Sequence, residues 1–285
     1  MRHRSQDPRR GPLWVCAQQE WTLALRSRQL TIFAAVFGTL ALAVASSGYV
    51  LTGGTGLQDF SRTAASLVEL VLLIVPLAAL IVGVSALTPD SGAAQLLYSQ
   101  PVARRAILWG KLTGLFLALV TAQGIGFGAS GLVLFSRTGS AGVSSFLGVM
   151  VAGAGLTAIF LALAAAIVGG STSRGRARAL AVSLVVWLVS VALFDVAALG
   201  VSAWLPSGAA ARVLMSAVVV NPVGAVRTGV MLALDGKAAF GAASLAFLRF
   251  TGGATGAGAW LLGSIACWII VPLALAARRL GRADV

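Results

Sequence analysis

Two carboxylates stand inside long apolar runs of this chain, Glu69 and Asp195. A charge at mid-bilayer costs about 2.5–3.5 kcal/mol on insertion scales, so such residues are candidates for a path or a binding site. Asn221 and Arg227 lie in a later stretch of mixed character, and the Arg227 guanidinium is a natural partner for either acid. Together the four can line an outward-facing vestibule. Acids that snorkel to the headgroups are the plainer alternative. Little other chemistry is available. The single histidine, His3, lies in a basic tail, which leaves neither a His-based metal site nor a serine–histidine nucleophile. Cys16 and Cys267 fall in different environments, and Met150, Met215 and Met231 are scattered. They build neither a disulfide framework nor a copper(I) cluster.

A second group of polar residues fills Thr88–Lys111, between two apolar runs. Asp90, Ser91 and Gly92 can start a helix, Ala93–Tyr98 can form its body, and Pro101 interrupts it. Arg104, Arg105 and Lys111 bracket Trp109, the composition expected where a chain re-enters the cytoplasmic headgroup layer. A short structured loop of this kind is a docking surface for a soluble partner.

The elements that carry these residues follow from composition. The chain has 285 residues, of which 58% are hydrophobic and 10% charged. A soluble domain carries about 25% charged residues. Its apolar runs are continuous rather than alternating, which indicates an all-α integral membrane protein. Six spans are predicted, at about 30–50, 65–87, 112–135, 143–167, 180–199 and 258–276, in one transmembrane domain. The basic lead and the long first run argue that the first span is retained, although Ala43–Ser46 resembles a signal-peptidase site. Before it, Trp14, Ala17, Trp21 and Leu25 recur at helical spacing, as in an amphipathic helix lying in the interface. Residues 1–29 are thus read as a cytoplasmic tail and an interfacial helix.

The net charge of +13 reads as membrane-surface anchoring rather than nucleic-acid binding, because the arginines lie between apolar runs. Fifteen of the 21 Lys and Arg fall in the N-terminal region, the 88–111 loop, the 169–178 loop and the C-terminal tail. The positive-inside rule therefore places both termini in the cytoplasm of a multi-pass cell-membrane protein.

Residues 200–257 then form an extracytoplasmic segment of short helices packed into or lying on the outer membrane face, with a re-entrant hairpin as the alternative. Ala209–Val220 is too short to span, and Asn221-Pro222 reads as an N-cap with proline at the first helical position. Gly124, Gly126 and Gly128 sit inside the third span, and Gly153 and Gly155 in the fourth, where close helix packing explains them. No GxxxxGK[ST] loop occurs, so the chain does not bind ATP by a Walker loop. Trp187 and Trp268 lie away from the predicted interfaces, as expected of rings packed between helices.

Four segments resemble the ABC-2 type exporter permeases: SLVELVLLIVPLAALIVG (66–83), QPVARRAILWGK (100–111), LFDVAALG (193–200) and NPVGAVR (221–227). Within that family they are similar to the membrane subunits of nitrous oxide reductase maturation transporters. The resemblance implies a homodimer, each copy docked on a separate cytoplasmic ATPase that holds the ATP and Mg. This chain would have no cofactor of its own. It also implies an extracytoplasmic accessory partner and a role in assembling a copper–sulfur centre. Asp195 matches the acid of the fifth span, and Asn221, Pro222 and Arg227 match the outer segment. Asp90 and Gly92 match the coupling loop, with Thr88, Pro89 and Ser91 where glutamates are common. Pro101, Arg104 and Arg105 complete the surface expected to couple to the ATPase. Two other readings remain: an ion-coupled carrier using Glu69 and Asp195, and a membrane scaffold for enzyme assembly that carries no flux.

Overall fold

A computed structural model describes residues 11–50, 57–88, 103–138, 143–169, 175–235 and 247–282. Among them every regular element is a helix. The helices are α1 (Pro12–Leu25), α2 (Arg28–Val50), α3 (Leu57–Leu87), α4 (Arg104–Thr138) and α5 (Val143–Val168). They continue as α6 (Arg176–Leu188), a π-turn (Val189–Leu193), α7 (Phe194–Ala203), α8 (Ser207–Val220), α9 (Pro222–Asp235) and α10 (Ala254–Arg282).

Six of these helical stretches are long and apolar enough to cross a membrane. α2, α3, α4, α5 and α10 each make one, and α6, the π-turn and α7 run on as a single span, Arg176–Ala203. In hydrocarbon a backbone must satisfy its own hydrogen bonds, so uninterrupted helices are the expected outcome. They also run past the apolar segments that announce them. α3 begins at Leu57 and α4 at Arg104, because a helix propagates one bond per residue into polar flanks once nucleated.

α3 and α5 form the centre. Leu67, Leu72 and Leu80 of α3 pack with Leu156, Ile159 and Phe160 of α5 in the largest buried cluster. An aromatic ladder ties α2, α4 and α5 together. Phe37 meets Phe127 edge-on at 5.1 Å, and Phe127 meets Phe146 at 5.7 Å. Such offset and edge contacts suit the ring quadrupoles. Of the glycines expected to pack closely, two do. A Cβ on Gly126 would stand 2.7 Å from the Phe37 ring, and one on Gly153 would stand 2.5 Å from Gln123 Oε1. Gly124, Gly128 and Gly155 face open space.

α1, expected to lie in an interface, packs on the bundle itself. It is seated on the first turns of α4, where Gly110 and Gly114 remove the side chains that would hold it away. A Cβ on Gly114 would lie 2.5 Å from the Ala17 carbonyl oxygen and 2.9 Å from the Trp21 nitrogen. Spacing of four residues puts both glycines on one face, the small-xxx-small arrangement that lets backbones touch. Ala17 is buried there, while Trp14, Val15 and Leu23 of the same helix point outward.

Candidate functional site

Cations gather at one end of the bundle, where α2, α4 and α6 start and α3, α5 and α10 finish. Lys111 Nζ donates to the Ala86 carbonyl at 3.2 Å, and Arg176 donates to the Ser85 carbonyl at 3.0 Å. Arg279 donates to the Ala166 carbonyl at 3.0 Å, near the end of α5. The last turn of a helix exposes unpaired carbonyls at the negative end of its dipole, so cations there are stabilising. Lys111 also stands 3.9 Å from Glu20 of α1. Burial holds the Glu20 carboxyl above the ordinary carboxylate range, and the Lys111 charge offsets part of that rise. Thus α1, the end of α3 and the start of α4 are fastened at the base of the 88–111 segment. Asp90, Gly92 and Pro101 lie outside the described residues. Arg104 is the first residue of α4, and Arg105 is exposed beside it.

The other polar centre is built at a corner. α8 and α9 meet at Asn221 with a bend of 96°, so together they form a broken span or a re-entrant hairpin. A corner inside an apolar bundle needs partners for the backbone groups it frees. Here α10 supplies donors and Asn221 supplies the rest. Ser264 Oγ donates to the Val219 carbonyl, and Trp268 Nε1 donates to the Val220 carbonyl at 2.9 Å. Asn221 is only 2% exposed. Its Oδ1 accepts from the Val223 N–H at 3.2 Å, the N-cap that the sequence predicts. Its Nδ2 donates both to the Ser190 carbonyl in the π-turn, at 2.9 Å, and to Asp195 Oδ1, at 3.2 Å. A π-turn shifts the backbone ladder to i→i+5, so carbonyls there are available to outside donors.

Arg227 rises from α9 one and a half turns beyond the corner. Its Nη1 donates to Asp195 Oδ2 at 2.8 Å, a charge-assisted bond of full strength. Its Nε faces Glu69 Oε1 at 3.7 Å and is buried without a hydrogen bond. The structure therefore brings Glu69, Asp195, Asn221 and Arg227 together, linking α3, the fifth span and α9. Both acids sit deeper along their helices than the apolar runs suggested, since α3 extends back to Leu57 and α7 continues to Ala203. Sequence reasoning missed Ser264 and Trp268 as corner donors. The available signal was a hydroxyl and an indole four residues apart on the last span. Trp187 does pack between helices, its Nε1 donating to the Leu73 carbonyl at 2.9 Å.

The described residues thus form a helical, multi-pass membrane protein with a broken helix pair, an ion-pair node at one end and a cation-braced base at the other. The sequence profile of the ABC-2 family transporter proteins matches residues 14–285, and the chain belongs to that family. It is 30% identical over 240 residues to the probable ABC transporter permease protein NosY of Pseudomonas aeruginosa, covering 82% of this chain and 86% of that protein. A protein of the same name from Stutzerimonas stutzeri is 31% identical over 189 residues, covering 64% of this chain and 68% of its own length.

Proposed function

We propose that the chain is the permease subunit of an ABC transporter whose ATP and Mg sit on a separate cytoplasmic ATPase. The observation that carries this is the family match over nearly the whole chain, in a sequence with no Walker loop of its own. The 88–111 segment is the docking surface, through Asp90, Gly92, Pro101, Arg104 and Arg105. Closure of the ATPase there would move α3 and α4 as rigid bodies. The fastening of Lys111 and Arg176 to the end of α3 supports such transmission, since a frayed end would absorb the motion. In a homodimer a second copy would cover the fifth span, which is the least covered of the six. Both termini then lie in the cytoplasm, and the Glu69, Asp195, Asn221 and Arg227 node lines the outer end of the path. The resemblance to maturation permeases extends the proposal to export of a substrate, or support for assembly, of an extracytoplasmic copper–sulfur enzyme. An extracytoplasmic accessory protein would then be the further partner.

The test is a pull-down of the tagged chain from its native membranes in mild detergent. An ATPase with a Walker loop is expected in equal amount, and is expected to be lost when Arg104 and Arg105 are both changed to Glu. Absence of any such ATPase under several gentle conditions would overturn the proposal. The broken α8–α9 pair beside two acids is the observation that favours an ion-coupled carrier. Flux in vesicles under an ion gradient alone, without an ATPase, would establish that reading instead.

A further inference from the structure

We propose that Glu69 and Trp187 form a binding site for a singly charged organic cation on the open side of the Asp195–Arg227 pair. The charge of the node does not balance, with two carboxylates facing one guanidinium. The Arg227–Asp195 half is saturated, at 2.8 Å, and Asn221 adds a second bond to the same carboxylate. Among the described residues Glu69 has one ion pair, at 3.7 Å, and no hydrogen bond, and its side chain is 59% exposed. The excess negative charge therefore resides on Glu69. That residue lies six positions past Thr63, where the apolar span begins, or about 9 Å along the helix. A carboxylate held by one ion pair of 3.7 Å at that depth favours an incoming positive charge.

The surroundings select the kind of cation. The Trp187 indole is pinned to α3 by its 2.9 Å bond to the carbonyl of Leu73, the residue four positions on from Glu69. Leu73 itself is exposed, four residues on from Glu69 and so on the same face. A carboxylate, an indole and an aliphatic side chain together suit an ammonium or other onium ion that carries apolar groups. The charge goes to the carboxylate, while the ring and the leucine take the hydrocarbon. Metal ions are poorly served. No group of three His, Cys, Asp or Glu forms among the described residues. The same onium chemistry is offered by a free hydrophobic cation and by the headgroup of an ethanolamine lipid.

Calling this cation a cargo rests on the permease reading above. Binding is measured on the purified chain in a maltoside detergent with no ATPase, so failure here refutes the cation site and leaves the pull-down result untouched. The probes are tetraphenylphosphonium and tetraphenylborate, which share a shape and differ in sign. Tetraphenylphosphonium is expected to bind at least tenfold more tightly. E69Q should remove that preference and E69D should largely restore it. W187L should weaken the cation about fivefold, and W187F, which keeps a ring, should weaken it less. Equal binding of the two probes, or a preference unchanged in E69Q, would overturn the proposal. Added short-chain phosphatidylethanolamine separates the sources: displacement of the probe assigns the site to a lipid headgroup, and no displacement assigns it to a free cation.

Discussion

Replacing Asn221 by Ala removes three hydrogen bonds at once, and their sizes can be worked out one by one. The Val223 N–H loses its cap, which costs about 1 kcal/mol. The Ser190 carbonyl is left without its outside donor in the π-turn, about 1–2 kcal/mol. Asp195 loses a neutral donor, but its side chain is 37% exposed, so solvent screening holds that loss to about 0.5 kcal/mol. The expected total is about 3 kcal/mol. Unfolding in mixed micelles of maltoside and dodecyl sulfate would measure it, with tryptophan fluorescence as the signal because Trp268 bonds to the carbonyl beside the corner. Asn221→Ser separates the parts. Serine is a good N-cap but does not reach two acceptors across the gap, so it should recover about 1 kcal/mol. A loss in Asn221→Ala below about 1 kcal/mol, or wild-type stability in Asn221→Ser, would refute the claim that this side chain ties the corner to the fifth span.

Two other outcomes follow from the base of the bundle. Gly114→Ala places a Cβ 2.5 Å from the Ala17 carbonyl oxygen, so α1 must shift. The cost should be about 1–3 kcal/mol, with residues 12–25 becoming cleavable by added protease while the spans stay intact; a variant as resistant as wild type would show that α1 is not seated there. The Glu20 carboxyl has a raised pKa, because burial outweighs the Lys111 charge. The folded state thus holds the proton more tightly than the unfolded chain. Stability falls as pH rises from the unfolded value of 4.5 through the raised folded value. Glu20→Gln should match wild type near pH 4 and be the more stable protein at pH 7, and a difference independent of pH would refute this origin.

The spans were legible because hydrocarbon imposes one pattern, a long apolar run, on every segment that crosses it. Their ends were less so. The turns at Leu57–Thr63 and Arg104–Lys111 carry polar residues that look like loop, yet they continue helices whose cost of nucleation is already met inside the membrane. Glu69, Asp195, Asn221 and Arg227 stood out singly because polar groups are rare in such a chain. Their meeting depends on the 96° corner, for which Asn221-Pro222 gave only the local half: a cap and a helix start. The π-turn was illegible, since Val189–Leu193 reads like any other apolar helix and its outside donor, the Asn221 side chain, lies 31 residues away from Ser190. Gly110 and Gly114 are readable as a pair four apart, but the expected boundary of the third span at 112 separates them, with Gly110 in the loop and Gly114 in the span. The glycines of the third span drew the packing argument, and of those only Gly126 earned it.

The seat of α1 also sets a schedule for synthesis. Ala17 and Gly110 are 93 positions apart in the chain, so the groove that receives α1 does not exist when α1 is made. At about 5–20 residues per second, the helix waits roughly 5–20 s for its partner. Throughout that delay the bilayer surface is the available support, and Trp14, Val15 and Leu23, which face outward even in the finished protein, are the residues that can hold it there. A nascent chain stalled before Gly110 should therefore carry its N-terminal helix on lipid, and one stalled after α4 has entered the membrane should carry it on protein.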